Sequence, residues 1–239
     1  QIKEAAKSFE VYLVVNADSL ELRSLFGDDI EFNNFNIQRR ISIFKDLKSL
    51  FSLIYFFIAF RPSIVHSTTP KAGLLSMVAS FIARVPFRLH TFTGQVWVTK
   101  RGLYRHLLKI LDRLTAALST FSLCDSHSQR SFLLNEKVIN DAKSGVILNG
   151  SIRGVDPNRF RPRADFRLEI RRQFNILDDS VLILFMARFT ADKGALLMIN
   201  AFRELALKSE RVFLLMVGPD EERLTPAISK IMSGLDNRY

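Results

Sequence analysis

The basic turn within MARFTADKG, residues 186–194, combines residue types that bind anions. The apolar segment VLILF before it predicts a buried strand, and ALLMINAFREL after it has the periodicity of an amphipathic helix. Arg188 can hold two phosphate oxygens at once, Lys193 adds a mobile positive charge, and Gly194 lets a phosphate approach the backbone. The free N–H groups at the start of a helix also favour an anion. The turn therefore predicts an anion site, with a solvated turn carrying two surface cations as the alternative.

Two familiar kinds of phosphate or metal site do not fit the sequence. A P-loop needs glycines before its lysine and a serine or threonine directly after it, and the turn has neither. No Asp-x-Asp pair occurs along the chain, so a metal ion is not expected. Recognition of the anion would then rest on the two cations and the helix start.

Two other predicted strands also end in polar residues. Pro70 opens a helix directly after one of them, which places Lys71 beside the start of that helix, where an anion is favoured. An ordinary surface lysine is the alternative for Lys71, and a packed strand histidine is the alternative for His90. The candidate binding residues at these strand ends are His66, Lys71, His90, Thr91, Thr93, Gly94 and Gln95.

Strands and helices alternate along the chain, which predicts an α/β fold with a mostly parallel, doubly wound sheet. The stretch Gly150–Arg167 breaks this alternation with two prolines and five arginines, and it predicts a linker. We therefore expect a Rossmann-like domain at residues 1–155, and a linker with a partial second Rossmann-like domain at 156–239. Strands are predicted at Glu10–Val15, Ser63–Ser67, Phe87–Phe92, Ser119–Leu123 and Ser144–Asn149, and helices at Ile41–Phe60, Pro70–Arg84, Leu103–Leu118 and Ser128–Glu136.

The composition narrows the choice of partner. The chain of 239 residues has 34 basic and 24 acidic residues, and a net charge of +10 favours nucleic acid, acidic lipid or a phosphorylated ligand. No nucleic-acid motif is present and the aromatic residues follow core periodicity, so nucleic acid is not expected. A single cysteine excludes an internal disulfide framework and favours a reducing compartment. The apolar run Ser49–Phe60 is too short to span a bilayer, so it predicts a buried helix, with insertion into a membrane surface as the alternative.

The predicted helix at Leu103–Leu118 carries two stripes. Leucines at positions 103, 107, 111, 114 and 118 share one side and are expected to face the sheet, while Arg101, Arg105, Lys109 and Arg113 recur every four residues. Asp112 is the only carboxylate from Gln95 to Leu118, so ion pairs within the helix are nearly unavailable. An uncompensated basic stripe predicts attachment to an anionic membrane surface, with a solvated face as the alternative.

Six motifs in order resemble the retaining glycosyltransferases of family 4, in particular the branch that builds bacterial capsule, O-antigen or exopolysaccharide units on a lipid carrier. The resemblance runs from about Glu10 to the end of the chain. It departs from many members at Ala187, where they have glycine, and at Thr93, where they have histidine. The motifs are HSTTPKAG from His66, HTFTGQVW from His90, CDSHSQRSFL from Cys124, NGSIRGVDPNRF from Asn149, ARFTADKG from Ala187 and VGPDEE from Val217.

The resemblance implies a GT-B-like architecture of two Rossmann-like domains, with the acceptor bound by the first and a nucleotide sugar mainly by the second. Arg188 and Lys193 would hold the donor diphosphate and neutralise charge on the leaving nucleotide, with Gly194 and Gly218 beside it. No cofactor or metal is implied, since the nucleotide sugar is a co-substrate. The acceptor would be a lipid-linked diphosphate saccharide, bound by His66, Lys71, His90, Thr93, Gly94 and Gln95 in a protein peripheral to the cytoplasmic face of the plasma membrane.

Other interpretations stay open at this point. The family's glycine-rich loop after its first strand and its C-terminal pair of glutamates are not found in the sequence, which predicts a chain shortened at both ends. A catalytically inactive fragment that only binds a partner would fit such a chain. A GT-B-type sugar-nucleotide epimerase would share the C-terminal basic turn and would differ at the acceptor-side motifs.

Overall fold

Parallel strand pairs form the framework of the protein. The structure, a computed structural model, describes residues 2–16, 30–35, 37, 42–151 and 154–235. Every strand pair among these residues is parallel, which confirms the predicted α/β class with parallel sheets. Contacts between residues divide the chain into two units, Gln1–Val155 and Asp156–Tyr239.

Two parallel sheets lie in the described part of the first unit. Strands β1 (Tyr12–Val15) and β2 (Glu31–Asn34) form one pair. The second sheet has the order β3-β4-β5-β6, and its strands are β3 (Ile64–Ser67), β4 (Phe87–Phe92), β5 (Phe121–Cys124) and β6 (Ser144–Val146). Because sequential neighbours pair in parallel, a helix or a long connection returns the chain after each strand.

Helices lie before and between the strands of this unit. They are α1 (Ile2–Ala5), α2 (Ile43–Phe60), α3 (Pro70–Ile82), α4 (Gly102–Leu118) and α5 (His127–Asn135). Pro70 opens α3, where its missing N–H costs nothing, and the Ser126 hydroxyl caps α5 by accepting the Gln129 N–H. Helix α3 packs beside both α2 and α4.

Two hydrophobic clusters hold the first unit together. One joins α2, α3 and β3 around Leu53, Phe57 and Met77. The other surrounds Trp97, which lies in a short 3-10 helix, Val96–Thr99, between β4 and α4. Cys124, expected to be a small buried residue, lies in this second cluster.

The second unit repeats the strand–helix–strand pattern. Strands β7 (Val181–Met186) and β8 (Val212–Val217) pair along their full length, from Val181 opposite Val212 to Met186 opposite Val217. The helices of this unit are α6 (Ala164–Gln173), α7 (Ala195–Lys208) and α8 (Thr225–Ile231). Ile199 and Phe202 of α7 pack on β8 and α8 to form its core.

Several elements differ from the sequence-based expectation. The charged segment EFNN forms β2 because it pairs with β1, and helix α6 begins inside the stretch predicted to be a linker. Helix α2 buries only one face, through Ser49, Leu53 and Phe57, and aromatic residues of the run Ser49–Phe60 remain exposed on its other side. Among the described residues, no helix combines the length and the hydropathy needed to cross a membrane.

The expectation that the leucines of α4 face the sheet is wrong for most of the stripe. Leu103 is 89% exposed, and Leu107 and Leu114 are also exposed, whereas the residues that α4 buries are Asp112 and Thr115. The physical reason is a polar contact. The indole N–H of Trp97 donates to the Asp112 carboxylate at 2.7 Å, which turns that side of the helix inward.

Candidate functional site

The carboxyl ends of β7 and β8 are joined beyond the strands themselves. The Ala187 N–H donates to the Val217 carbonyl at 3.1 Å, and the Phe189 N–H donates to the Pro219 carbonyl at 2.8 Å. Gly218 has a φ of 153°, and a Cβ there would lie 1.9 Å from the Ala187 carbonyl oxygen. Only glycine lets the two backbones approach this closely, so Gly218 fixes the position of the basic turn.

Arg188 projects from this joined edge into a surface ion pair. Its guanidinium donates to the Glu221 carboxylate at 2.8 Å, and both side chains are 44% exposed. Glu221 belongs to the segment after β8, so the pair links the ends of the two strands. An exposed ion pair of this kind contributes little to stability, which leaves the guanidinium available to exchange its partner for another anion.

Lys193 and Gly194 lead directly into helix α7. Lys193 is exposed at the end of a 3-10 turn, Ala191–Lys193, and Gly194 then adopts a φ of 74°, a left-handed conformation that favours glycine. Helix α7 starts at Ala195. The start of a helix presents backbone N–H groups without intrahelical acceptors, so the turn combines two cations with a positive dipole end.

Acidic side chains already contact this turn. The Glu222 carboxylate accepts the Ala191 N–H at 2.9 Å, as an anion at the start of a helix would. The Thr190 hydroxyl, and then the charges of Lys193 and Arg188, lower the pKa of the Asp192 carboxyl. Glu221 and Glu222 lie within the VGPDEE motif, but no role was predicted for them. Their position after a strand that pairs with β7 was the signal that could have placed them beside Arg188.

The carboxyl ends of β3 and β4 are joined by side-chain hydrogen bonds. The Ser67 hydroxyl bonds His90 Nδ1 at 2.8 Å, and His66 Nε2 bonds the Thr91 hydroxyl at 2.7 Å. His90 is only 2% exposed, and burial, followed by the charge of His66, lowers its pKa to about 4. A Cβ at Gly73 would lie 2.3 Å from the His90 ring, so the first turn of α3 rests on the imidazole. The structure thus places His90 in the core as a neutral side chain.

The other acceptor-side candidates lie around this buried pair. Lys71 forms an ion pair of 2.5 Å with Asp46 in the first turn of α2. Thr93 and Gly94 are exposed after β4, and the Thr93 hydroxyl donates to the Thr68 carbonyl at 3.2 Å. The Gln95 amide nitrogen is buried and has no hydrogen-bond partner among the residues that the structure describes. Of the predicted acceptor-side residues, His66, Thr93 and Gly94 are exposed.

Three of the four cations in the basic stripe of α4, Arg105, Lys109 and Arg113, have partners, which corrects the expectation drawn from the sequence, while Arg101 forms no ion pair among the described residues. Glu136, at the end of α5, pairs with Lys109 and approaches Arg105 at 4.0 Å. Arg113 donates to the backbone carbonyls of Glu136 and Lys137. No sequence pattern could indicate this acid, because it lies outside α4 and reaches the stripe only through the packing of α5.

Arg105 and Lys109 also lie over the Trp97 ring, at 5.5 and 5.4 Å from its centroid. Trp97 itself stacks on Phe132 of α5. Arg105 and Lys109 therefore face the protein, and Trp97 links the segment after β4 to α4 and α5. Trp97 is buried, so it packs rather than presenting a surface for a sugar.

Comparison with known proteins decides the family. The model of the family described as "Glycosyl transferase 4-like domain" matches residues 3–150, more than half of the chain. The chain belongs to the glycosyltransferase 4-like family. A curated relative is the "Capsular polysaccharide biosynthesis glycosyltransferase CapM" of Staphylococcus aureus, 29% identical over 212 residues that make up 89% of this chain and 54% of the relative.

A second curated relative of this family member comes from Escherichia coli. It is the "UDP-Gal:alpha-D-GlcNAc-diphosphoundecaprenol alpha-1,3-galactosyltransferase", 33% identical over 125 residues, which cover 52% of this chain and 31% of the relative. The chain thus spans about half the length of one of these relatives and about a third of the other.

Solved structures of other proteins share the fold of this chain. The Anabaena protein Alr3699/HepE, crystallised with UDP, has a TM-score of 0.72 and 16% identity, covering 99% of this chain and 62% of its own. A glycosyltransferase from Rickettsia africae has a TM-score of 0.69 and 19% identity, and the match covers 99% of this chain and 61% of the Rickettsia chain. The UDP-GlcNAc 2-epimerase of Neisseria meningitidis, bound to UDP-GlcNAc, has a TM-score of 0.58 and 20% identity, with coverage of 94% and 61%. These likenesses confirm the expected GT-B-like fold.

Proposed function

We propose that this chain belongs to an enzyme, a glycosyltransferase, that moves a sugar from a nucleotide-diphosphate sugar to a lipid-linked saccharide acceptor. The reaction would take place during the synthesis of a surface polysaccharide. Membership of the glycosyltransferase 4-like family supports the transferase, and the Staphylococcus relative supports a role in polysaccharide synthesis. The Escherichia coli relative acts on a diphosphoundecaprenol-linked acceptor, which supports a lipid-linked acceptor here. Retention of the anomeric configuration is part of the proposal, and it rests on the resemblance of the motifs.

The donor diphosphate would bind at the basic turn of the second unit. The observation that carries this assignment is the convergence of Arg188, Lys193 and the start of α7 at the joined ends of β7 and β8. Ligands of open α/β sheets bind outside the carboxyl ends of the strands, and helix starts favour phosphate. As the nucleotide leaves, negative charge grows on its diphosphate, and fixed cations would stabilise that charge without a metal or a cofactor.

The acceptor would bind beyond β3 and β4 in the first unit. Thr93 and Gly94 are exposed there and would contact it directly, together with Gln95. His90 would act differently, as a positioning residue, because its ring is buried between Ser67 and the first turn of α3. His66 and Lys71 would complete this surface, with Lys71 held in place by Asp46. Attachment to the cytoplasmic face of the plasma membrane would bring this side to a lipid-linked acceptor.

The test is isothermal titration of the 239-residue chain with UDP, GDP and their sugars. Replacing Arg188 by alanine should weaken nucleotide binding by about tenfold or more, because a hydrogen bond to a charged group contributes ~1.5–3 kcal/mol. Arg211→Ala is the matched control. Arg211 also forms an exposed ion pair, with Asp179, but it lies at the amino end of β8, away from the proposed site.

The outcomes separate the proposal from its alternatives. Equal loss of affinity in both variants, or no binding of any nucleotide by the unaltered chain, would overturn the donor site. Change of the sugar within UDP-GlcNAc in the absence of any acceptor would favour an epimerase. Nucleotide binding that survives in Arg211→Ala and falls in Arg188→Ala would support the donor site.

A further inference from the structure

Helix α4 presents an apolar surface on the side that faces away from the protein. Leu103, Leu107, Ile110 and Leu114 are all exposed, and their spacing of four, three and four residues places them on one face. The 3-10 helix before α4 packs against it and adds exposed valines. We call this the α4 apolar surface, and it consists of Val96, Val98, Leu103, Tyr104, Leu107, Ile110 and Leu114.

The polar contacts of α4 fix this orientation. Asp112 is buried and accepts the Trp97 indole N–H, while Lys109 contacts Glu136 and the Trp97 ring. These contacts point the charged side of the helix toward the rest of the unit. An amphipathic helix of a soluble protein ordinarily does the reverse, with its apolar stripe toward the core. The outward leucines therefore require a partner that accepts apolar side chains.

The charges around the surface select the class of partner. Lys100 and Arg101 lie at the start of α4, are exposed, and form no ion pair with any other residue that the structure describes. The only carboxylate between Val96 and Ala117 is Asp112, which is buried. Leucines flanked by cations and free of exposed acids match a lipid surface with anionic headgroups.

We propose that the α4 apolar surface docks the protein onto an anionic lipid bilayer, with the leucines entering the headgroup boundary and Lys100 and Arg101 contacting lipid phosphates. The biological role of this docking, which is access to a lipid-linked acceptor, rests on the proposed function. Gly94 and Gln95, at the proposed acceptor side, lead directly into the 3-10 helix that forms one end of the surface. Docking would bring these residues to the depth at which the diphosphate of a lipid-linked acceptor lies.

The test is co-sedimentation of the 239-residue chain with vesicles of phosphatidylcholine, alone or mixed with phosphatidylglycerol, at low and high salt. Leu103→Gln with Leu107→Gln should lower partitioning onto the mixed vesicles by roughly tenfold or more, because two leucines no longer leave water. Lys100→Gln with Arg101→Gln should instead remove the preference for the anionic vesicles and the loss of binding at high salt.

The control is a pair of exposed leucines elsewhere, Leu177→Gln with Leu207→Gln in the second unit, which should bind vesicles like the unaltered chain. Exposed aromatic residues of α2 give a competing surface, tested by Phe44→Gln with Tyr55→Gln. Binding that falls only in the α2 variant would overturn the proposal. So would a dimer of the unaltered chain that the Leu103 and Leu107 variant converts to monomers without any vesicle binding.

No nucleotide sugar or acceptor is present in these vesicles, so the outcome is independent of the donor site. Nucleotide titration of the same variants completes the design. A variant that loses vesicle binding and keeps nucleotide binding supports the α4 apolar surface. If vesicles never bind the unaltered chain at low salt while nucleotides do, the docking surface is wrong and the donor site stands.

Discussion

The ends of β3 and β4 and the ends of β7 and β8 occupy the same topological position but have opposite character. In the first unit, Ser67 and His90 form a buried, neutral contact that resists exchange with solvent. In the second unit, Arg188 and Glu221 form an exposed ion pair beside the start of α7. Buried polar groups are costly to separate, whereas an exposed pair can exchange partners at little cost. One strand edge therefore holds a fixed shape, and the other is the edge at which we propose that a charged ligand binds.

The largest expected effect is a loss of stability on replacing Gly218, which lies at the joined ends of β7 and β8. Gly218→Ala should destabilise the second unit by about 2–5 kcal/mol, because a side chain at a φ of 153° is strained and its Cβ would overlap the Ala187 carbonyl. Thermal unfolding followed by circular dichroism measures the loss. Gly94→Ala is the control, since a Cβ at Gly94 would meet no atom within 4 Å. A Gly218→Ala protein that melts like the unaltered chain would show that the segments after β7 and β8 do not need this close backbone approach.

The next largest effect is a pH-dependent change in stability that arises from His90, which is buried at the ends of β3 and β4. Folded His90 stays neutral down to a pKa of about 4, while in the unfolded chain the side chain takes up its proton near the ordinary value of 6.5. Between these values the unfolded state binds more protons, so stability is full above pH 6.5 and falls as the pH drops toward 4. The loss reaches about 3 kcal/mol at most, as the free energy of unfolding in urea at several pH values would show.

Two variants assign this pH dependence to His90. His90→Gln should reduce the slope between pH 4 and 6.5, and a smaller slope should remain because burial also lowers the pKa of His66. Ser67→Ala takes away the hydrogen-bond partner of Nδ1 but keeps the imidazole, so it should lower stability at neutral pH and retain the slope. A slope that persists unchanged in His90→Gln would place its origin in another group.

Much of the fold could be predicted from local pattern. Apolar strands alternate with amphipathic segments, and β4 is found at the predicted residues, Phe87–Phe92, because its six residues are bounded by turn signals. Strand β2 could not be predicted in this way. Its sequence, EFNN, has little apolar character, and it is a strand only because β1 supplies its hydrogen-bond partners.

The acidic partners of the basic side chains could not be predicted from the sequence. The stripe on α4 had no acid within reach along the helix, and its partner, Glu136, comes from the end of α5. Lys71 likewise meets Asp46 from α2. Residue types at strand ends could be selected as candidate ligands, since the carboxyl edge of a parallel sheet is where ligands bind. Whether each cation already has an acid depends on tertiary packing.

The smallest expected effect sharpens the difference between the two edges, because it asks whether the Arg188 ion pair competes with a ligand. Glu221→Gln keeps the size of the side chain and removes its charge. If a diphosphate takes the place of the carboxylate on Arg188, the variant should bind UDP roughly two- to fivefold more tightly, since an exposed ion pair contributes only a few tenths to one kcal/mol. Asp179→Asn, which frees Arg211 in the same way at the other end of the sheet, should leave UDP affinity unchanged.

The two substitutions should also differ in their response to salt. The tighter binding of Glu221→Gln should shrink as the ionic strength rises, because screening weakens the competing ion pair of the unaltered chain. Weaker UDP binding in Glu221→Gln would mean that this carboxylate supports the ligand rather than competing with it, for example by holding Arg188 in its binding orientation. The edge formed by β7 and β8 would then be preorganised like the buried edge in the first unit. A gain that disappears at high salt, with no change in Asp179→Asn, would establish Arg188 as a cation that exchanges its internal acid for the diphosphate.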